Sequence, residues 1–174
     1  MRRIAVVPFS SSASEIQIDD KSLVKVNQDT KFQLKNAIRR FQASGATNIY
    51  EAFSRTFSLM TEAIPMELVV NCNTAILFLT DGEMTDPPEL TEKDVLDFVK
   101  EGLDELEETL QQQVYLFTYS ISENDDVHSF PKRLACSAAA RGVWSKIIDD
   151  RSIVDSLSSY YKLFSMVSTL IVRL

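Results

Sequence analysis

Thr80, Asp81 and Gly82 stand at the end of an apolar run, AILFLTDGE at residues 75–83. A hydroxyl and a carboxylate so placed could serve as acid, nucleophile or ligand for a hard cation. The run is too short to cross a membrane. A continuous apolar stretch bounded by turn residues reads instead as a buried strand of a parallel sheet. Ligands of open α/β sheets sit just beyond the carboxyl ends of such strands, which is where Asp81 falls. Gly82 lets the chain turn sharply away from it. A lone Asp-Gly pair would be only a turn. Here a second stretch, GATN at 45–48, puts Thr47 directly ahead of a helix pattern. Thr47 is then either an N-cap of that helix or a second oxygen for the same site.

The elements that would hold these residues alternate along the chain. Ile4–Phe9 (IAVVPF) reads as a short buried strand followed by a serine-rich loop, Ser10–Ser14. Alternation at Ile16, Ile18, Leu23, Val24 and Val26 fits an edge strand or hairpin. Leu34, Ala37, Ile38 and Phe41 have helical spacing through Gln42, and Ile49, Phe53, Phe57, Met60 and Ile64 give a second helix stopping before Pro65. Strand Ala75–Thr80 comes next, then a loop containing Asp86-Pro87-Pro88. Thr91 and Asp94 have the form of a capping box. It opens a helix with Val95, Val99, Leu103, Leu106 and Leu110 on one face and a solvated acidic face of Glu101, Asp104, Glu105, Glu107 and Glu108. Val114–Ile121 is a further strand. Ser129 and Pro131 suit an N-cap and an early proline of a helix ending at Gly142. Val143–Ile148 is a strand, and Ile153–Phe164 a last helix with Ile153, Leu157 and Tyr160 or Tyr161 inward. The expectation is an α/β fold: one domain over residues 1–174, with a doubly wound, mostly parallel sheet flanked by helices.

Composition limits what such a fold could do. The 174 residues suffice for a core without metal or disulfide staples. A net charge of −7 disfavours nucleic acid, whose phosphates need clustered Lys and Arg, and attracts cations. No apolar run reaches a membrane-spanning length, and the start MRRIAVVPF lacks the long apolar stretch of a signal peptide. A P-loop, a GxGxxG turn and a GxSxG elbow are all missing. With a single histidine, an enzyme is disfavoured; a hydrolase using Asp81 is the remote alternative. His128 has no Cys or His near it in sequence and reads as a surface residue, and Trp144 as core. Cys72 and Cys136 read as buried thiols acting as small hydrophobes, with a disulfide between them or to another chain left open.

Taken together, GATNI at 45–49 and LTDGE at 79–83 resemble two of the three parts of the metal-ion-dependent adhesion site of von Willebrand factor type A domains. NCNTAILFLTDGE (71–83), VYLFTYSIS (114–122), PKRLACSAAARGVW (131–144) and SSYYKLF (158–164) are similar to one subfamily. It comprises the alpha-2/delta auxiliary subunits of voltage-gated calcium channels and related extracellular proteins with Cache domains. The resemblance implies that Thr47 and Asp81 are metal ligands for Mg²⁺ or Ca²⁺, directly or through water. It also implies that a partner protein, such as a channel subunit, supplies a carboxylate to complete the coordination. Glu83, Asp86, Ser10 and Ser12 are candidates for the partner surface, and Cys72 for a covalent link to another segment. The parent protein would be extracellular or at the cell surface, membrane-associated, and active in adhesion or channel assembly. The alternative is an intracellular scaffold domain of the same fold without metal-dependent binding.

This sequence departs from the family at one place. The Asp-x-Ser-x-Ser signature is absent, and Ile4–Phe9 corresponds to the family's second strand, so the first strand and helix are expected to be missing. A cation would then bind weakly or not at all to this chain alone. The neighbours of the missing strand would pair directly, leave a gap, or recruit a strand from another copy in a strand-swapped oligomer.

Overall fold

The computed structural model describes residues 3–42, 45–63, 74–81, 84–85, 87–149, 152–156 and 158. It divides into two compact units that interleave in sequence: Met1–Val70 with Met84–Leu110, and Asn71–Glu83 with Gln111–Leu174.

In the first unit, β1 (Arg3–Ile4) pairs antiparallel with β2 (Val24–Lys25). Between them Asp19 and Asp20, both at positive φ, make a two-residue hairpin closed by reciprocal Ile18–Lys21 bonds of 3.0 Å. That geometry matches the twist of paired strands, and Asp tolerates the left-handed region better than most residues. The stretch read as an edge strand or hairpin thus holds this tight turn and β2, which pairs outside it with β1. Ile18 and Val24 pack with Leu34 of α1 (Gln28–Arg40), and Val6 and Ile16 border them. The α1 helix begins earlier than its apolar spacing suggests, because Asn27 and Thr30 form a capping box. Ile38 and Phe41, expected inside, are exposed.

The remaining helices of this unit are α2 (Ile49–Ala63) and α3 (Glu92–Leu110). Thr91 and Asp94 cap α3 as expected, the Asp94 carboxylate accepting from the Thr91 backbone N–H at 2.8 Å. The Thr91 hydroxyl and backbone N–H hold the Asp94 carboxyl below its usual range. Val95, Val99, Leu103, Leu106 and Leu110 are buried along one α3 face, while Glu101, Asp104, Glu105 and Glu108 are exposed. α2 and α3 meet through Tyr50–Phe98 and Phe57–Phe98 ring contacts, with centroids 4.3 and 5.9 Å apart.

The second unit holds a three-stranded parallel sheet in the order β3 (Thr74–Thr80), β4 (Val114–Ile121), β5 (Gly142–Ile147). Thr74 to Thr80 pair in step with Val114 to Ser120, and Leu116 to Ile121 with Gly142 to Ile147. Because side chains alternate, this register sorts the two faces. On one, Phe117, Tyr119 and Ile147 form a cluster bordered by Ala75, Tyr115 and Val143. On the other, α4 (Ser129–Ser137) packs against β4 and β5. There the Thr118 hydroxyl donates to the Pro131 carbonyl at 3.0 Å. Gly142 passes so near α4 that a Cβ on it would lie 1.8 Å from the Ala135 carbonyl oxygen. The chain is thus α/β with a parallel sheet and helices, as expected in outline.

Several finer expectations are corrected. Ile4–Phe9 is not a strand of the parallel sheet among the described residues. After β1 it takes partners close in sequence: Ile16 N–H donates to the Val6 carbonyl at 2.8 Å, and Ser14 N–H to that of Pro8 at 3.2 Å. Pro8 has no N–H to give a ladder, and the turn at Ser10–Ser12 brings a nearby acceptor-hungry segment back to it. Strand β3 is not buried on both faces: Ile76, Phe78 and Thr80 are buried, but Leu77 and Leu79 are 40% and 50% exposed. Among the described residues β3 is an edge strand, and its Leu77–Leu79 face lies beside the cluster centred on β4 and β5. Ser129 is the first residue of α4 and does not cap it. At the far end, residues 152–156 and 158 are helical, but Ile153 faces solvent; Leu157, Tyr160 and Tyr161 lie outside the described residues.

Candidate functional site

The 45–48 loop owes its shape to the serine loop beside it. Gly45 has φ +92°, a left-handed conformation that suits glycine, and a Cβ there would meet the Ser11 Oγ at 2.6 Å. Ser11 Oγ accepts from the Ala46 N–H at 3.0 Å. Asn48 donates its N–H to the Ser10 carbonyl at 2.8 Å and its Nδ2 to that of Ser11 at 3.3 Å. Its side-chain oxygen accepts from the Glu51 N–H at 2.9 Å, so Asn48 caps α2. The cap role considered for Thr47 therefore belongs to its neighbour.

Thr47 is instead held through its peptide groups. Its N–H donates to the Thr85 Oγ1 at 2.7 Å, and its carbonyl accepts from the Thr85 N–H at 3.2 Å. Behind this loop, Arg55 of α2 donates from Nε to Glu15 at 2.6 Å and from Nη2 to the other oxygen of the same carboxylate. That guanidinium pulls the Glu15 carboxyl down from 4.5 to about 2.

Asp81 belongs to the second unit and is exposed, one residue past the end of β3. At the same end of the sheet, Ser120 lies opposite Thr80 in the β3–β4 register. Ser120 is fully buried, and its Oγ accepts from Trp144 Nε1–H at 3.0 Å and bonds His128 Nδ1 at 2.7 Å. His128, expected at the surface, is only 5% exposed. Its ring sits 6.2 Å from that of Trp144, and its Nε2 is buried without a hydrogen-bond partner among the described residues. Lys146 pairs with Asp125 and holds that carboxyl below its usual range. The Ser120–His128 spacing is that of a nucleophile and its base. Both side chains are buried, and the hydroxyl joins the indole and the imidazole.

The chain matches no family model and no curated protein. The sequence candidates are thus distributed by the structure alone. Ser10 and Ser12 lie in the loop that meets residues 45–48; Ser12 is exposed and its carbonyl accepts from Ser10 N–H at 2.9 Å. Glu83, Asp86 and Cys72 lie outside the described residues. Cys136, expected to be buried, is an exposed free thiol on α4. Trp144 is half-buried, with Lys132 Nζ 5.6 Å above its ring. Among the described residues no three His, Cys, Asp or Glu side chains group closely enough to hold a metal ion, and no helix is long and apolar enough to cross a membrane. Sequence reasoning missed Ser11, Asn48 and Thr85. Only Asn48 carried a local signal, the Asn-x-x-Glu pattern of residues 48–51.

Proposed function

We propose that the chain is a protein-binding domain of the von Willebrand factor A type, akin to that of calcium-channel alpha-2/delta subunits. In this reading Thr47 and Asp81 offer oxygens to Mg²⁺ or Ca²⁺, and a carboxylate from a partner protein completes the coordination. The observation that carries it is the assignment of roles in the 45–48 loop. Asn48 takes the helix cap, which releases the Thr47 hydroxyl, and the Thr47 peptide is bonded on both sides to Thr85, four residues after Asp81. The exposure of Asp81 at the carboxyl end of a parallel strand supports the same reading. With one carboxylate and hydroxyl oxygens, such an ion keeps several waters and binds weakly. The parent protein would then work at the cell surface.

The test is a Mg²⁺ titration followed by amide chemical shifts in ¹⁵N-labelled protein. Thr47 and Asp81 should shift together and saturate in the millimolar range, and Asp81→Asn should abolish the response without lowering the melting temperature. An unchanged response in Asp81→Asn, or shifts confined to the acidic face of α3, would refute the reading.

A further inference from the structure

Between α2 and α3 runs a groove of about 470 Å³, lined by one stripe of each helix. That is within the range of natural ligand clefts, roughly 300–1,000 Å³. Its apolar part is the buried Leu106 with Phe57 and Phe98, which are both partly exposed although they touch. Gly102 forms part of its floor, and a Cβ at this position would fall 2.3 Å from the Phe57 ring. Glycine inside a helix costs about 1 kcal/mol relative to alanine, and here it lets the ring lie against the α3 backbone. Ser54 and Ser58 are too small to fill the space beside it.

The rim decides what fits. Glu62, Glu101 and Glu105 line the groove, and among the described residues no Lys or Arg does. The one arginine on α2, Arg55, is engaged by Glu15. Both walls are helices whose backbone groups are bonded internally, so the groove has no strand edge to offer. An extended peptide would gain no main-chain bonds there, whereas a helix brings its own. We propose that this groove binds a basic amphipathic helix of a partner protein, its apolar side chains on Phe57 and Phe98 and its Lys or Arg side chains against the three glutamates. The surface lies wholly on α2 and α3, needs no cation, and stands apart from the loop reading above.

The probe is a labelled synthetic helix with leucines on one face and lysines on the other, titrated with the intact chain at physiological salt and followed by fluorescence anisotropy. Glu101→Lys with Glu105→Lys should weaken binding about tenfold or more, as loss of two charge contacts near an apolar anchor does. Ser58→Trp, which fills the groove without changing charge, should weaken it comparably. Glu89→Lys with Glu123→Lys, an equal charge change at exposed acids outside the groove, should alter it less than about twofold. Binding should persist in EDTA. Equal weakening by both charge pairs, indifference to Ser58→Trp, or no binding of the probe would each overturn the proposal.

Discussion

Replacing Ser120 by alanine tests whether the buried polar cluster of the second unit holds that unit together. The hydroxyl is fully buried and serves two partners, Trp144 Nε1–H at 3.0 Å and His128 Nδ1 at 2.7 Å. Its removal deletes both bonds. Each is worth about 1 kcal/mol net, and a buried group left without a partner costs about 1–3 kcal/mol. His128 bears the larger share, because its Nε2 is already buried without a partner among the described residues. Trp144 is half-buried and can recover part of its loss from water. The expected destabilisation is therefore about 2–3 kcal/mol. Urea denaturation reads it directly, since Trp144 is the single tryptophan of the chain and reports from inside the cluster. The slope against denaturant should stay constant while the midpoint falls. A double-mutant cycle with Trp144→Phe, followed by circular dichroism, separates hydrogen bonding from packing. With the indole donor gone, Ser120→Ala should cost about 1 kcal/mol less. A loss below about 0.5 kcal/mol, or full additivity in the cycle, would refute the network as a stabilising element.

The remaining predictions concern loop anchoring and helix–sheet spacing. Glu15 is depressed from 4.5 to about 2 by Arg55, so its contribution is whole above pH 4.5 and is lost as pH falls toward 2. Taken at face value a shift of that size is worth about 3.4 kcal/mol, but Arg55 is 38% exposed and solvent screens the pair, leaving about 1 kcal/mol. Glu15→Gln should therefore lose about that much at neutral pH and show a flatter acid limb in melting temperature; parallel acid limbs in the two proteins would refute the pairing. Gly142→Ala should cost about 2–3 kcal/mol or more, because the new Cβ meets the Ala135 carbonyl, a backbone atom that cannot swing aside. An unchanged urea midpoint would mean that β5 is free to move off α4.

The readable elements were those whose evidence is local. α3 announces itself by a capping box and an apolar stripe, and β4 by an apolar and aromatic run interrupted only by Thr118 and Ser120. The first 26 residues were harder, because Ile4–Phe9 has the composition of a sheet strand while its bonds go to the chain returning at Ser14 and Ile16. Nothing within AILFLT says which of its faces will be covered. Leu77 and Leu79 are exposed on a strand that is at the sheet's edge among the described residues, and strand order is not written in a local run. The burial of His128 is equally invisible locally: it bonds a strand residue eight positions earlier and sets its ring beside the tryptophan that strand meets across the sheet.

At the loop site the decisive bonds are more distant still. Ser11 and Ala46 are 35 residues apart, and Thr47 and Thr85 are 38 apart. Residue types suggested that Thr47 would either cap a helix or face a ligand, and its own identity could not choose between the two. The choice is made next door. Asn48 is the better cap, with a side-chain oxygen at the right distance for Glu51 N–H, and once it occupies that position the bonds to the Ser10 carbonyl and to the hydroxyl and N–H of Thr85 fix the peptides around Thr47. A hydroxyl kept out of the cap while its main chain is pinned on both sides is pre-organised, so ordering it for a ligand requires little further loss of entropy. Asn48→Ala then separates structure from binding: Thr47 can slide into the empty cap, α2 loses about 1 kcal/mol or less, and any cation response at Thr47 falls by more than that loss of stability accounts for.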